Sequence, residues 1–255
     1  MTIRLRLPHT RYFRACLSLA LSAFFVSSSA LVGVAQRSLK RTYPAGKNVR
    51  IELKNISGTI TVESWNRDEI KLSAIFESPI AKLTPRATGE CLVVDVMGDN
   101  RGRGDVGSVN FKLQVPEEAT VDLETRQGDI SVTNIRGGLV RAHVSSEGDI
   151  VLTGITAGQV IAQNTIGNIF FDGEFSRSGS YQFKSGNGDI TIRIPADSAF
   201  RVVASSQARN IALGQFWNEN IKNLGGGRKF EGDVRNGHAT VTVSNFQGRI
   251  TFMRR

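Results

Sequence analysis

The chain has 255 residues, is 40% hydrophobic, contains 26 glycines and carries a formal net charge of +9. That suits a folded, turn-rich β protein, as one large domain or two small ones. The basic excess is spread thinly and no basic run is interleaved with aromatics, which argues against nucleic-acid binding.

Residues 1–14 are basic, Ala15 to Val26 is apolar, and small and polar residues follow to Gln36. This is the three-part layout of a secretory signal peptide over 1–35, with Gly33 and Ala35 before the expected cut. Cleavage after Ala30 is a second option, and an uncleaved membrane anchor is the rival reading, because 15–35 is just long enough to span. No later apolar stretch is long enough, so no stable membrane span is expected after cleavage. Of the two cysteines, Cys16 falls in this segment, leaving Cys91 as a lone small core residue and no internal disulfide.

Residues 36–47 read as a polar lead-in. Asn48 to Val62 is a strand, a tight corner and a second strand, with Ile51 and Leu53 before Gly58 and Ile60 and Val62 after it. Trp65-Asn66-Arg67-Asp68-Glu69 reads as a turn, and Ile70 to Phe76, Leu92 to Val96 and Val109 to Val115 as strands. Ser78 to Ala87 and the glycine-rich 98–107 stretch read as loops. Together these form an N-terminal strand module.

A regular repeat occupies 120–214. Its clearest phrases are Gly128-Asp129-Ile130, Gly148-Asp149-Ile150, Gly167-Asn168-Ile169 and Gly188-Asp189-Ile190, at spacings of 20, 19 and 21. A further step of 21 reaches Arg209-Asn210-Ile211, where the glycine is lost. Seven and five residues before each key position stand apolar residues, and three before it a small polar one. The Gly148 unit fits only with one extra residue in its turn. Each unit buries too little alone, so neighbours must stack. The expected fold is all-β: a single-stranded parallel β-helix-like solenoid with coils of about 20 residues and Ile60, Ile130, Ile150, Ile169, Ile190, Ile211 and Ile250 in one interior column. An antiparallel meander of hairpins is the competing topology. Residues 215–237, with Gly225-Gly226-Gly227, form an irregular glycine-rich insertion near the C-terminus, and 239–252 restores the pattern.

The corner phrases, Ser64 to Ile70, Leu113-Gln114-Val115-Pro116 and Leu224-Gly225-Gly226-Gly227 together resemble the bacterial putative-adhesin domain family of unknown function. That family belongs with the toast-rack and adhesin-head β-solenoids. The resemblance covers nearly all of the chain after residue 45 and implies an adhesin-like β-solenoid domain over 48–255 in an exported envelope protein. It brings no catalytic residues. Arg209 and Arg249 depart from the corner pattern and put the local geometry there in question.

No catalytic, cofactor-binding or metal-binding residue is assigned, and no cofactor. The column Asp129, Asp149, Asn168, Asp189 and Asn210 reads as turn chemistry rather than a metal or sugar ladder. Outward positions Arg141, Ile161, Gln182 and Val203, with His143, Gln163, Lys184 and Ser205, read as a solvated face open to a polymer. Phe170 points outward and is expected to pack under 215–237. Arg103-Gly104-Asp105 is a loop tripeptide, and His143 and His238 have no partners for zinc. The expectation is a non-enzymatic putative adhesin or surface scaffold, periplasmic, cell-surface or extracellular, with envelope polymers or surface glycans as partners. The alternatives are a carbohydrate-active enzyme and a membrane-tethered accessory subunit of an envelope sensor.

Overall fold

The structure, a computed structural model, describes residues 37–255. The signal-segment reading of 1–35 and the cleavage sites lie outside the described residues.

The described chain is all-β. Alternate apolar residues point inward and are sealed from water, as in Ser180–Asn187, where Tyr181 and Phe183 are buried and their neighbours exposed. The strands fall into a ten-stranded and an eleven-stranded sheet whose inner faces share one core. Pairing between successive repeats is parallel and in register, so the meander of hairpins is excluded.

Eight units are counted here in chain order, each a strand of the eleven-stranded sheet followed by one of the ten-stranded sheet. Unit 1 is Arg50–Ser57 with Ile60–Trp65, unit 2 Cys91–Asp95 with Val109–Pro116, and unit 3 Thr120–Gln127 with Ile130–Thr133. Unit 4 is Leu139–Glu147 with Ile150–Ile155, unit 5 Gln159–Ile166 with Ile169–Gly173, and unit 6 Ser180–Asn187 with Ile190–Ile194. Unit 7 is Phe200–Ser206 with Ile211–Ala212, and unit 8 Ala239–Gln247 with Ile250–Arg254.

The spatial order is 2-1-3-4-5-6-8-7. Unit 1 lies between units 2 and 3, and the last unit is seated between units 6 and 7. The isoleucine column therefore runs Ile60, Ile130, Ile150, Ile169, Ile190, Ile250, Ile211. All but Ile211 are buried; Ile211, at the end, is half-buried. Phe111 of unit 2 continues the column beyond Ile60.

Antiparallel strands close both ends. At one end Glu69–Phe76 pairs with Val109–Pro116, and Arg37–Pro44 then pairs along the whole of Glu69–Phe76. The segment read as a polar lead-in is thus an ordered edge strand, whose basic Arg37, Lys40 and Arg41 discourage pairing with further chains. At the other end, Lys229–Val234 pairs antiparallel with Phe200–Ser206, and Lys222–Leu224 pairs with it in turn. The glycine-rich stretch expected to be irregular is therefore a hairpin, preceded by the 3-10 turn Gly214–Phe216, whose Phe216 stacks edge-on against Phe200 at 5.7 Å.

The extra residue expected in the Gly148 unit appears as a shift between Val144 and Glu147, where two steps on the neighbouring strand face three. Val96–Asp99, overlapping the start of the 98–107 stretch, forms a single helical turn capped by the Asp95 side chain.

Candidate functional site

The corner is the most repetitive chemistry in the molecule. A Cβ placed on Gly128, Gly148, Gly167, Gly188 or Gly248 would run into the backbone carbonyl of the corner glycine in the unit before it in space. Only glycine fits that approach, and the positive φ of each suits it. Beside this column runs a second one. The Asp149 amide donates to Asp129 Oδ1 (2.8 Å), Asn168 to Asp149 Oδ1 (2.6 Å), Asp189 to Asn168 Oδ1 (2.9 Å) and Arg249 to Asp189 Oδ1 (2.8 Å). The Asx side chains are spent joining one unit to the next. Asn210 lies beyond Arg249 and takes no part in this run of bonds.

The small polar residue before several corners also works between units, and as a donor. Asn164 Nδ2 donates to the Gly148 carbonyl (3.1 Å), Ser185 Oγ to Gly167 (3.1 Å) and Asn245 Nδ2 to Gly188 (2.6 Å). Arg249 keeps the corner geometry. Arg209 alters it, adopting a left-handed φ of 58°.

The outward rows of the eleven-stranded sheet form a largely polar face. Gln182 is flanked by Ile161 and Thr242, and Lys184 by Gln163 and Ser244, so unit 8 separates them from the Val203 and Ser205 expected next to them. Toward unit 1 the face is charged, with Arg141 paired to Asp122 at 2.6 Å. Toward the middle amides and hydroxyls alternate with Ile161 and Lys184. His143 sits half-buried in this face between Glu124 and Gln163.

The opposite side of the stack, where the chain returns from the ten- to the eleven-stranded sheet, is irregular and carries shallow clefts. One, of about 250 Å³, is lined by Lys47, Trp65, Arg67, Asp68, Glu117 and Glu118, with Asn66 and Pro116. Trp65 is held by a bond from its indole N–H to the Glu69 carbonyl (2.8 Å), and the Arg67 guanidinium lies over its ring at 5.2 Å. Trp65 faces Pro116 across the sheet, so this cleft exists because unit 2 is seated beside unit 1. The sequence reading took 65–69 only as a turn and left Glu117 and Glu118 unremarked; residues about fifty positions apart gave no local signal of meeting. His238 lines a separate cleft with Glu174, Arg177 and Asp197.

Two expectations about single residues change. Cys91 is half-buried, since Leu92 takes the inward position; burial pushes its thiol up, Glu52 adds to this and Arg50 opposes it. Phe170 is covered by the Arg193 guanidinium at 5.4 Å; that arginine is paired with the buried Asp172. Arg103 donates to Asn100 Oδ1 (3.0 Å), and Gly104 and Asp105 are exposed. Among the described residues there is no group of three or more His, Cys, Asp or Glu arranged to hold a metal ion, and no helix is long and apolar enough to cross a membrane.

A family model described as Toastrack DUF4097 matches residues 20–252, and the chain belongs to that family. A Clostridium sporogenes crystal structure, described as a "putative cell adhesion protein", is similar over 86% of this chain and 100% of its own, at 10% identity and a TM-score of 0.54. A "putative adhesin" from Bacteroides fragilis is similar over 86% of this chain and 97% of its own, at 10% identity and a TM-score of 0.40. At such identity the likeness is one of fold. Among curated proteins, none matches the chain.

Proposed function

Starting from membership in the toastrack family, we propose that this protein is an exported, non-enzymatic β-solenoid with coils of about 20 residues. Its role is to present surface, as an adhesin or scaffold that binds an envelope polymer or surface glycan. One observation carries this reading. The recurrent Asx groups of the corner are consumed between units, while the outward rows of the eleven-stranded sheet present Gln163, Lys184 and Ser244 in one row and Ile161, Gln182 and Thr242 in the next. Neighbouring strands lie about 4.8 Å apart, so these groups form a regular grid suited to an extended polymer. The adhesion description of the Clostridium protein is in keeping with this role.

The test is a binding screen of the chain against peptidoglycan, surface polysaccharides and acidic exopolymers. At least one polymer should bind, and Gln163→Ala with Gln182→Ala should weaken it about tenfold, a modest loss of roughly 1.4 kcal/mol. Silence across the panel, or indifference to the pair, contradicts the reading.

A carbohydrate-active enzyme is the second reading, favoured by the Trp65 cleft, where Asp68, Glu117 and Glu118 meet Lys47 and Arg67. An aromatic platform with paired carboxylates and cations is what sugar cleavage would use. Depolymerisation of a uronate polymer by the chain, abolished by Glu117→Gln, would establish it.

A further inference from the structure

We propose that the C-terminal end of the stack docks on an anionic lipid surface. The docking element is the hairpin Lys222–Leu224 with Lys229–Val234, together with Trp217 ahead of it and the corner of unit 8 beside it. Three large apolar side chains are left open there: Trp217 at 51% exposure, Leu224 at 41% and Phe246 at 62%. Trp217 stands edge-to-face on Phe230 at 5.6 Å, so the indole is propped outward rather than folded into the core.

The pairing register brings Leu224 and Phe246 to one end of neighbouring strands, and Trp217 reaches that end through Phe230, whose partner Asn223 adjoins Leu224. Leu224 faces Lys229, the Arg228 carbonyl accepts the Ser206 amide, and Ser206 faces Asn245, next to Phe246. Four strands at about 4.8 Å spacing place Leu224 and Phe246 roughly 15 Å apart. The tip between the hairpin strands is Gly225, Gly226 and Gly227, all at positive φ, and Gly226 has open space around it.

The charge around the apolar groups is net positive. Arg209, Lys222, Arg228 and Arg249 are exposed and form no ion pair among the described residues. The nearby acids are mostly neutralised. Glu231 is paired with Lys229 and with Arg201, each at 2.7 Å, and Asp233 with Arg201 at 3.3 Å. Lys229, then Arg201, holds the Glu231 carboxyl below the usual carboxylate range. Glu219 alone stands free on this cap. An aromatic and aliphatic tip ringed by unpaired cations matches the boundary of a bilayer, where headgroups take the charges and the acyl boundary takes the side chains. A polysaccharide has no acyl boundary to take Leu224 and Phe246.

Trp65 and Trp217 are the two tryptophans of the chain, so Trp65→Phe in the full-length protein makes Trp217 the sole reporter. The probe is vesicles of phosphatidylglycerol mixed with phosphatidylcholine, with brominated acyl chains, compared with phosphatidylcholine alone. Trp217 emission should shift to the blue and be quenched in the anionic vesicles only. Substituting Arg209, Lys222, Arg228 and Arg249 with Gln should lower the partition coefficient by about a hundredfold or more. Trp217 left unquenched while the protein floats with vesicles would overturn the proposal, because the contact would then lie elsewhere on the chain. So would equal quenching in neutral vesicles, or a lipid-free dimer that buries Trp217.

Discussion

Units 3 to 6 and the two ends of the stack are built from the same phrase, yet they obey different rules of order. In the middle, neighbours in sequence are neighbours in space, and glycine column, Asx column and isoleucine column run on together. At the ends, unit 2 sits outside unit 1 and unit 8 inside unit 7. The corner contact is one-sided, since each glycine's missing Cβ admits the carbonyl of the unit before it in space. Gly58 lets unit 1 seat on Val109 of unit 2, and Val109 itself offers no such approach to a further unit. Gly248 of unit 8 seats on the Gly188 carbonyl, where Arg209 of unit 7 would place a side chain. Unit 7 follows unit 8 with a left-handed φ of 58° at Arg209 and only the two-residue strand Ile211–Ala212 in the ten-stranded sheet. Antiparallel strands then cover the unit-2 edge of both sheets and the unit-7 edge of the eleven-stranded sheet, while the ten-stranded sheet ends on Ile211–Ala212.

The sharpest way to break this comparison is to remove residues 239–255. If unit 8 were a mere end, the rest would stay folded. Seated between units 6 and 7, it contributes Val241, Val243, Ile250 and Phe252 to the core. At about 1.5–3 kcal/mol each, these approach the whole stability of a domain. The truncated chain should lose its cooperative thermal transition by circular dichroism.

Substitutions sharpen the contrast between middle and end. Gly188→Ala drives a Cβ onto the Gly167 carbonyl and should cost about 3 kcal/mol or more in denaturant unfolding. Gly226→Ala at the cap, with nothing nearby and φ of 65°, should cost about 1 kcal/mol. Ile150→Ala in the buried column should cost roughly 2–5 kcal/mol; Ile211→Ala, half-buried at its end, about 1 kcal/mol. The smallest pair concerns the Asx column. Asp149→Ala removes the acceptor of the Asn168 amide and should cost about 1 kcal/mol, whereas Asn210→Ala should change stability by less than about 0.5 kcal/mol.

Much of the middle was legible because its signals are local. Alternation gave the strands, Gly-Asp-Ile gave the corners, and the misfit of Val140, Ala142 and Val144 to the common offset located the extra residue before Gly148. The order of units was not read, although a trace was present: Gly248-Arg249-Ile250 keeps the corner glycine that Arg209-Asn210-Ile211 lacks. The Trp65 cleft was invisible for the same reason, since it depends on which units touch. The cap was misread because hairpin strands as short as Lys222–Leu224 carry no alternation.

Cysteine pairs test the seating of the last unit directly. In a chain lacking Cys16 and Cys91, Gln182→Cys is combined with Thr242→Cys or with Val203→Cys. Gln182 and Thr242 are direct partners, whereas Val203 lies one strand further, about 9.6 Å from Gln182 and beyond disulfide reach. Mild oxidation should cross-link the first pair and leave the second free. Cross-linking of Gln182→Cys to Val203→Cys, with the Thr242→Cys pair unreacted, would mean that the units stack in chain order and that the intercalated architecture is wrong.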